Sequence, residues 1–272
     1  MPATSERYRS LPAYPLAGMR EIRRRIEAEG VDVIDLGTGD ALLDPPPAAV
    51  EALRRAAADL SHGRYAFQAG LPEFREAIAR WMRRRFGVEV DPATEVLPLI
   101  GSKDGLAHLP FAVLDPGDIA VVPEPGYPAY AGGVQLAGGE AEVYPLTAAR
   151  EFLVNLEDLP AARRARTRLA FLNSPTHPTT AVAPAEYLAR TVEFCRRHEI
   201  VLAYDNPYCE LTFDGYRAPS IFEFPGAREV ALEFHSLSKS FSMTGWRVGW
   251  VCGNAALIAA LAKVKTYTDT GP

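Results

Sequence analysis

The chain predicts a three-layer α/β/α protein built on a mostly parallel sheet, an expectation that rests on three features of the sequence. Short apolar runs, "EVLPLIGS", "DIAVVPEPG", "TRLAFLNSP", "IVLAYDNP" and "REVALEFHSLSK", alternate with longer helical stretches such as "PAEYLARTVEFCRRHE". The runs are apolar on both faces, as strands covered by helices on two sides must be. Each run breaks at its carboxyl end into Gly, Pro, Asn, Ser or Asp, the edge where open sheets gather ligands.

In chain order, "YRSLPAYPLAGMREIRRRIEAEG" reads as a proline-rich arm and a charged helix ended by Gly30. "VDVIDLGTGDALLDPPPAAVEALRRAAAD" reads as strand, glycine turn, proline turn and helix. "GLPEFREAIARWMRRRFG" is a helix entered through Pro72 and closed near Gly87. "KDGLAHLPFAVL" continues "EVLPLIGS" as a helix, and "DIAVVPEPGYPAY" is a strand ending in a proline-glycine loop. "EAEVYPL" and "WRVGWVCG" are further strands, and "AALIAALA" is a packed helix. Residues 1–45 are expected to form an arm and helix, and residues 46–272 one large domain.

Composition narrows the function. With 272 residues, 48% of them hydrophobic, there is material for one large core or two unequal ones. A net charge of -5 gives no support to nucleic-acid binding. The basic clusters Arg23 to Arg25 and Arg83 to Arg85 lie beside acids, as solvated helix faces do. Cys195, Cys209 and Cys252 are odd in number and form no CxxC, so neither a disulfide framework nor a metal site is expected. The N-terminus lacks a signal peptide's apolar run, and no stretch is apolar enough to span a bilayer. A cytoplasmic location is the expectation.

The residues able to do chemistry sit at the strand ends. Lys239, in "FHSLSKSFSMTGWRVGW", is the candidate nucleophile, since a lysine amine forms a Schiff base with an aldehyde. Ser236 and Ser238 offer hydroxyls beside it, and Arg247 offers a fork suited to phosphate or carboxylate, with Gly245 expected to turn the backbone before it. "GSKDG", Gly101 to Gly105, places free amides and the Ser102 hydroxyl at a helix start, where a phosphate binds. Asp205 ends an apolar run, and a buried carboxylate there needs a partner such as a protonated ring nitrogen. Tyr208 is placed to meet an oxygen on such a ring, and Tyr127 to stack on it. Each also has an ordinary reading: a surface lysine, a serine-capped turn, a structural ion pair, an aromatic packed on the core. No GxxxxGK[ST] or strand-borne GxGxxG supports a nucleotide site. A phosphate, an aldehyde and a cationic ring together describe pyridoxal 5'-phosphate, an electron sink for carbanion chemistry.

From about Leu36 onward the sequence resembles the class I/II aminotransferases, the fold type I pyridoxal-phosphate enzymes of the aspartate aminotransferase superfamily. "SLSKSFSMTGWRVGW", "YAFQAGLPEFREAIARW" and "DNPYCEL" carry the likeness. It implies that residues 46–272 are the cofactor-binding large domain, ending where a helix would lead to a small domain largely absent here. It makes Lys239 the Schiff-base lysine and proton carrier, Asp205 the partner of the pyridine nitrogen, and Tyr208 the partner of the phenolic oxygen. Tyr127 would stack on the ring. Ser236, Arg247 and the turn at Gly101, Ser102 and Lys103 would hold the phosphate, with Ser238 nearby. Tyr65 would reach the phosphate of a second subunit in a homodimer. Gly39 and Asn173 would border the substrate.

"GSKDGLAHLPFAVLDPGD" is most similar to the diaminopimelate and N-succinyldiaminopimelate branch of lysine synthesis, working with glutamate and 2-oxoglutarate. A β-lyase or a decarboxylase would use the same residues. A third alternative is an impaired member acting through cofactor binding or protein contacts, because no arginine here maps onto the family's substrate-carboxylate arginine. The family's N-x-P-x-N-P-T-G stands here as "NSPTHPTT". His177 replaces the asparagine that bonds the phenolic oxygen, and Thr180 replaces the glycine. Distorting that bond would cost roughly 1 to 3 kcal/mol, and Thr180 is expected to find an ordinary backbone conformation.

Overall fold

The structure, a computed structural model, describes residues 3–11, 14, 17–34, 36, 39, 43–67 and 69–272. Among the described residues seven strands form one sheet: β1 (Val96–Leu99), β2 (Ile119–Glu124), β3 (Glu140–Pro145), β4 (Thr167–Asn173), β5 (Val201–Asp205), β6 (Ala231–Ser236) and β7 (Gly249–Gly253). Their order is β1-β7-β6-β5-β4-β2-β3, and only β7 runs against its neighbours. Since β7 opposes both β1 and β6, those two run in one direction. The carboxyl ends of β1, β2, β4, β5 and β6 therefore share one edge of the sheet.

The helices are α1 (Glu6–Ser10), α2 (Met19–Ala28), α3 (Pro47–Ala57), α4 (Pro72–Phe86), α5 (Ser102–Val113), α6 (Ala129–Ala137), α7 (Ala161–Arg164), α8 (Ala185–Arg197), α9 (Ala227–Val230), α10 (Leu237–Ser240) and α11 (Ala255–Lys265). Alternate residues of each strand point to opposite faces. Leu169, Phe171, Leu232 and Phe234 pack with α5, α6 and α11 on one face. Ala170, Leu172, Leu202 and Tyr204 pack with α8 and α9 on the other, where α4 joins Val96, Trp250 and Cys252. The three-layer α/β/α expectation is met.

Two elements differ from the sequence reading. Residues 31–34 form no strand, and Ile34 and Leu36 are 84% and 90% exposed. A strand must pair its amides along an edge, and neither edge strand, β1 or β3, pairs with this segment. Of the expected glycine turn at 37–40, only Gly39 falls among the described residues. The second difference is α6, a helix whose first residues were read as part of the loop after β2 and whose remainder was given no element. Close packing explains Gly133: a Cβ there would lie 2.8 Å from the Ala107 carbonyl oxygen on α5.

Behind the shared edge lies a buried polar knot. The Glu233 carboxylate accepts hydrogen bonds from Asn206 Nδ2 (2.9 Å), the Ile221 amide (3.0 Å) and the Ser220 hydroxyl. His235 Nε2 lies 3.0 Å from the same carboxylate without the alignment of a hydrogen bond. Glu233→Ala removes the acceptor shared by three buried donors, of which Asn206 Nδ2 keeps the Pro219 carbonyl at 3.2 Å. It is expected to lower unfolding free energy by about 3 kcal/mol or more, measured by urea denaturation. Glu233→Gln, which keeps one acceptor, should cost less.

Candidate functional site

Asp205 closes β5 with 4% of its surface exposed. One carboxylate oxygen, Oδ2, accepts the Tyr130 hydroxyl at 2.5 Å, whereas Oδ1 is buried without a partner among the described residues. Burial pushes this carboxyl up to about 7, and the Tyr130 hydrogen bond pulls the other way. Tyr130 comes from the first turn of α6 and stacks on Phe171 of β4, 4.6 Å between ring centres. Tyr127, in the loop leading into α6, meets Tyr130 edge-on at 5.8 Å. Burial raises its phenol well above the ordinary value, helped by Asp205 and opposed by Arg247. Burial, then Asp205, pushes the half-buried Tyr208 up to about 12. The structure thus gathers Asp205, Tyr127 and Tyr208, and adds Tyr130. Sequence reasoning missed Tyr130 because α6 was not read as a helix; its place three residues after Tyr127 is the available cue.

The phosphate-type elements meet across β7. Its Gly249 pairs with Leu99 of β1 on one side and Ser236 of β6 on the other. This sets the turn before α5 beside the cap of α10. No side chain caps α5, which leaves first-turn amides for a ligand at the positive end of the helix dipole. Gly101 has φ +72°, and a Cβ on it would lie 2.6 Å from Arg247 Nη2, so the guanidinium rests on this turn. Arg247 Nη1 donates to the Thr244 carbonyl at 2.8 Å. Gly245 does not supply the expected reversal. Thr244–Trp246 form a tight helical turn, and the left-handed residue is Arg247 itself (φ +56°). Ser236 Oγ accepts the Ser238 amide at 3.1 Å and caps α10. Lys239, within α10, donates from Nζ to the Gly39 carbonyl at 2.8 Å. Lys103 is exposed, its amine 5.0 Å from the Tyr14 ring centre and 6.0 Å from that of Tyr127.

The loop after β4 completes the cluster. Buried Asn173 donates from Nδ2 to the Asp205 carbonyl (2.8 Å) and accepts the His177 amide on Oδ1 (2.5 Å). The His177 and Tyr208 rings lie 6.2 Å apart. Although His177 is exposed, desolvation and then the positive charge of Lys239 push its imidazole below the ordinary value. Thr180 does not find an ordinary conformation: its φ is +62°, and its amide donates to the Thr176 carbonyl at 2.7 Å. The turn retains a glycine-type geometry under a β-branched residue. A groove of about 500 Å³, lined by His177, Thr180, Tyr208, Leu211, Phe213 and Tyr216 among others, opens beside it. Tyr65 is 75% exposed and stacks on Phe67. Among the described residues, no hydrogen bond, ion pair or ring contact joins it to the cluster.

These residues fit pyridoxal phosphate. The unpartnered Asp205 Oδ1 needs a donor, the uncapped α5 suits a phosphate, and Lys239 is an amine in α10, three residues beyond the end of β6, the strand beside β5.

Comparison with known proteins agrees with this chemistry. A family model described as aminotransferase class I and II matches residues 31–268. An LL-diaminopimelate aminotransferase of Desulforudis audaxviator is 48% identical over 267 residues, covering 98% of this chain and 68% of that protein. The apo-BacF structure from Bacillus subtilis superposes with a TM-score of 0.93 at 35% identity, over 100% of this chain and 69% of that one. The N-succinyldiaminopimelate aminotransferase of Mycobacterium tuberculosis has a TM-score of 0.88 at 33% identity, over 98% and 68%.

Thr180→Gly is expected to relieve left-handed strain and stabilise the protein by about 1 kcal/mol, read as a higher urea midpoint. Asp205 generates a pH effect. Its carboxyl ionises near 7 when folded and near 3.8 otherwise. Between those values the folded state holds a proton that the unfolded state has released. Stability of the cofactor-free protein should therefore fall as pH rises from about 4 to about 7. Asp205→Asn removes that slope, so urea midpoints should show the variant more stable than wild type at pH 8 and little different at acid pH.

Proposed function

We propose that this chain, which belongs to the class I and II aminotransferase family, binds pyridoxal 5'-phosphate and moves an amino group from an amino acid to a 2-oxo acid. Asp205 and Lys239 carry this reading. A buried carboxylate with one oxygen unpartnered ends β5, and an amine stands three residues beyond the end of the adjacent β6.

When bound, pyridoxal phosphate supplies an aldehyde that condenses with amines and a ring that accepts an electron pair. Asp205 Oδ1 holds the proton on the ring nitrogen, and that cation relieves the cost of burying the carboxylate. Tyr208 and His177 serve as partners of the phenolic oxygen, and Tyr127 covers the ring face. Gly101, Ser102 and Lys103 at the start of α5, with Ser236, Ser238 and Arg247, hold the phosphate. Lys239 Nζ takes the proton from the substrate's α-carbon and returns it. Gly39 and Asn173 border the substrate. Exposed Tyr65 reaches the phosphate site of a second copy, which makes the working unit a homodimer.

The substrate proposed is LL-diaminopimelate, with glutamate and 2-oxoglutarate as the second pair. The 48% identical relative supports it, and the groove beside His177 and Tyr208 offers Leu211 and Phe213 to a methylene chain. The Mycobacterium structure supports N-succinyldiaminopimelate as a second candidate. An absorbance titration tests the whole reading. Pyridoxal phosphate should produce a visible band that disappears on adding diaminopimelate or glutamate, with release of the matching 2-oxo acid. A band indifferent to amino acids indicates a cofactor-binding protein without transfer. Release of ammonia indicates a lyase, and of carbon dioxide a decarboxylase. Lys239→Ala should leave no pyridoxyl group on the chain after borohydride reduction and lower turnover by about 10²- to 10⁴-fold or more. An unchanged adduct would overturn the assignment of Lys239.

A further inference from the structure

We propose that Lys265 is a positioning residue that sets the turn at residues 100–102 through Asp104. Lys265 ends α11 and is 0% exposed. Its Nζ donates to Asp104 Oδ2 and, at 2.8 Å, to Asp269 Oδ2. The same Asp104 oxygen accepts the Ile100 amide at 2.9 Å, and His108 Nδ1 lies 2.8 Å from the other oxygen. One carboxylate thus joins an ammonium 161 residues away to the peptide just before Gly101.

Two consequences separate this arrangement from a packing staple. First, fixing the Ile100 amide fixes the peptide from which the Gly101 turn departs, and with it the direction of the Ser102 and Lys103 amides. Second, Asp104 lies in the first turn of α5. A bare carboxylate there would repel any anion at the same helix end and compete for its positive dipole. The buried ammonium, shared with Asp269, offsets part of that charge. Burial alone would raise the Asp104 carboxyl; hydrogen bonds from His108, Lys265 and Ile100 outweigh that and hold it below the ordinary value. Asp104, His108 and Asp269 also have the spacing of a metal site. The Lys265 ammonium already bonds two of the three carboxylate and imidazole groups, so a cation charge is present without a metal.

The phosphate consequence rests on the pyridoxal-phosphate reading; the mechanical one does not. The full-length chain with Lys265→Met is compared with wild type in two measurements. Amide hydrogen exchange in the cofactor-free protein should accelerate at Ile100 by about tenfold, with Leu202 to Tyr204 in β5 unchanged. Affinity for pyridoxal phosphate should fall by about tenfold, and affinity for pyridoxal, which lacks the phosphate, by less than twofold. Asp104→Asn added to Lys265→Met should restore most of the lost affinity for pyridoxal phosphate, because the uncompensated charge is gone. Unchanged exchange at Ile100, or equal losses for both ligands, overturns the proposal. Should Lys265→Met fail to fold, Lys265→Gln removes the charge and keeps a donor, and is read the same way. A wild-type chain that binds neither ligand sinks the aminotransferase reading instead, while the exchange result still decides the clamp.

Discussion

A carboxylate buried at the end of a central strand, with one oxygen satisfied and the other bare, is expensive in the empty protein. Asp205 is such a group, 4% exposed, with Tyr130 on Oδ2 and nothing on Oδ1. Its cost is not cancelled by a second side chain, as it would be in a purely structural ion pair. A cation placed against Oδ1 would remove that cost. The surroundings accentuate this: Tyr127, Tyr130 and Tyr208 all lie in the field of Asp205, and none brings a positive charge.

Such a residue is useful only if its position is fixed, and the scaffold fixes it from both sides. On β4, Asn173 sits opposite Asp205 and bonds its carbonyl; on β6, Phe234 sits opposite it and accepts the Asn206 amide. Asn206 then reaches down to Glu233, which ties it to Ser220 and Ile221. The single antiparallel strand, β7, does a different job. By pairing with both β1 and β6 it draws the Gly101 turn and the Ser236 cap together, although β1 and β6 are far apart in sequence.

Most of the strand-end chemistry was legible in the sequence because parallel strands buried on two faces have few polar residues to spare. When Asp205, Asn173, Ser236 and Gly101 interrupt apolar runs, local composition alone marks the edge where they gather. What escaped depends on partners distant in sequence. Helix α6 is invisible to propensity because Gly133 answers to a carbonyl on α5, and Tyr130 was lost with it. The apolar pattern at 31–34 looks like a strand, but pairing needs an edge, which periodicity does not report. Lys265 reads as one more basic residue at a helix end; only burial beside Asp104 sets it apart. The left-handed turn was assigned to Gly245 by residue type, whereas Arg247 adopts it, held by Thr244 and the Gly101 turn.

The loop after β4 holds two unusual residues in a tightly bonded backbone. Thr180 keeps a left-handed conformation that costs a β-branched residue about 1 to 2 kcal/mol. Such strain persists only where the surroundings over-determine the backbone, and here they do. The Thr176 hydroxyl donates to the Asn173 carbonyl, Ser174 Oγ accepts the Ala183 amide, Tyr204 donates to the Ser174 carbonyl, and Asn173 accepts the His177 amide. His177 is therefore placed by its backbone and leaves its imidazole unspent. A side chain at that position can change without moving the loop. Desolvation and Lys239 keep the ring's proton affinity low, so near neutrality it offers one N–H donor, as an asparagine would, and one bare nitrogen acceptor, which an asparagine would not. The imidazole thus places a donor and an acceptor nitrogen in the neighbourhood of Tyr208, 6.2 Å between ring centres, on a loop held by its backbone.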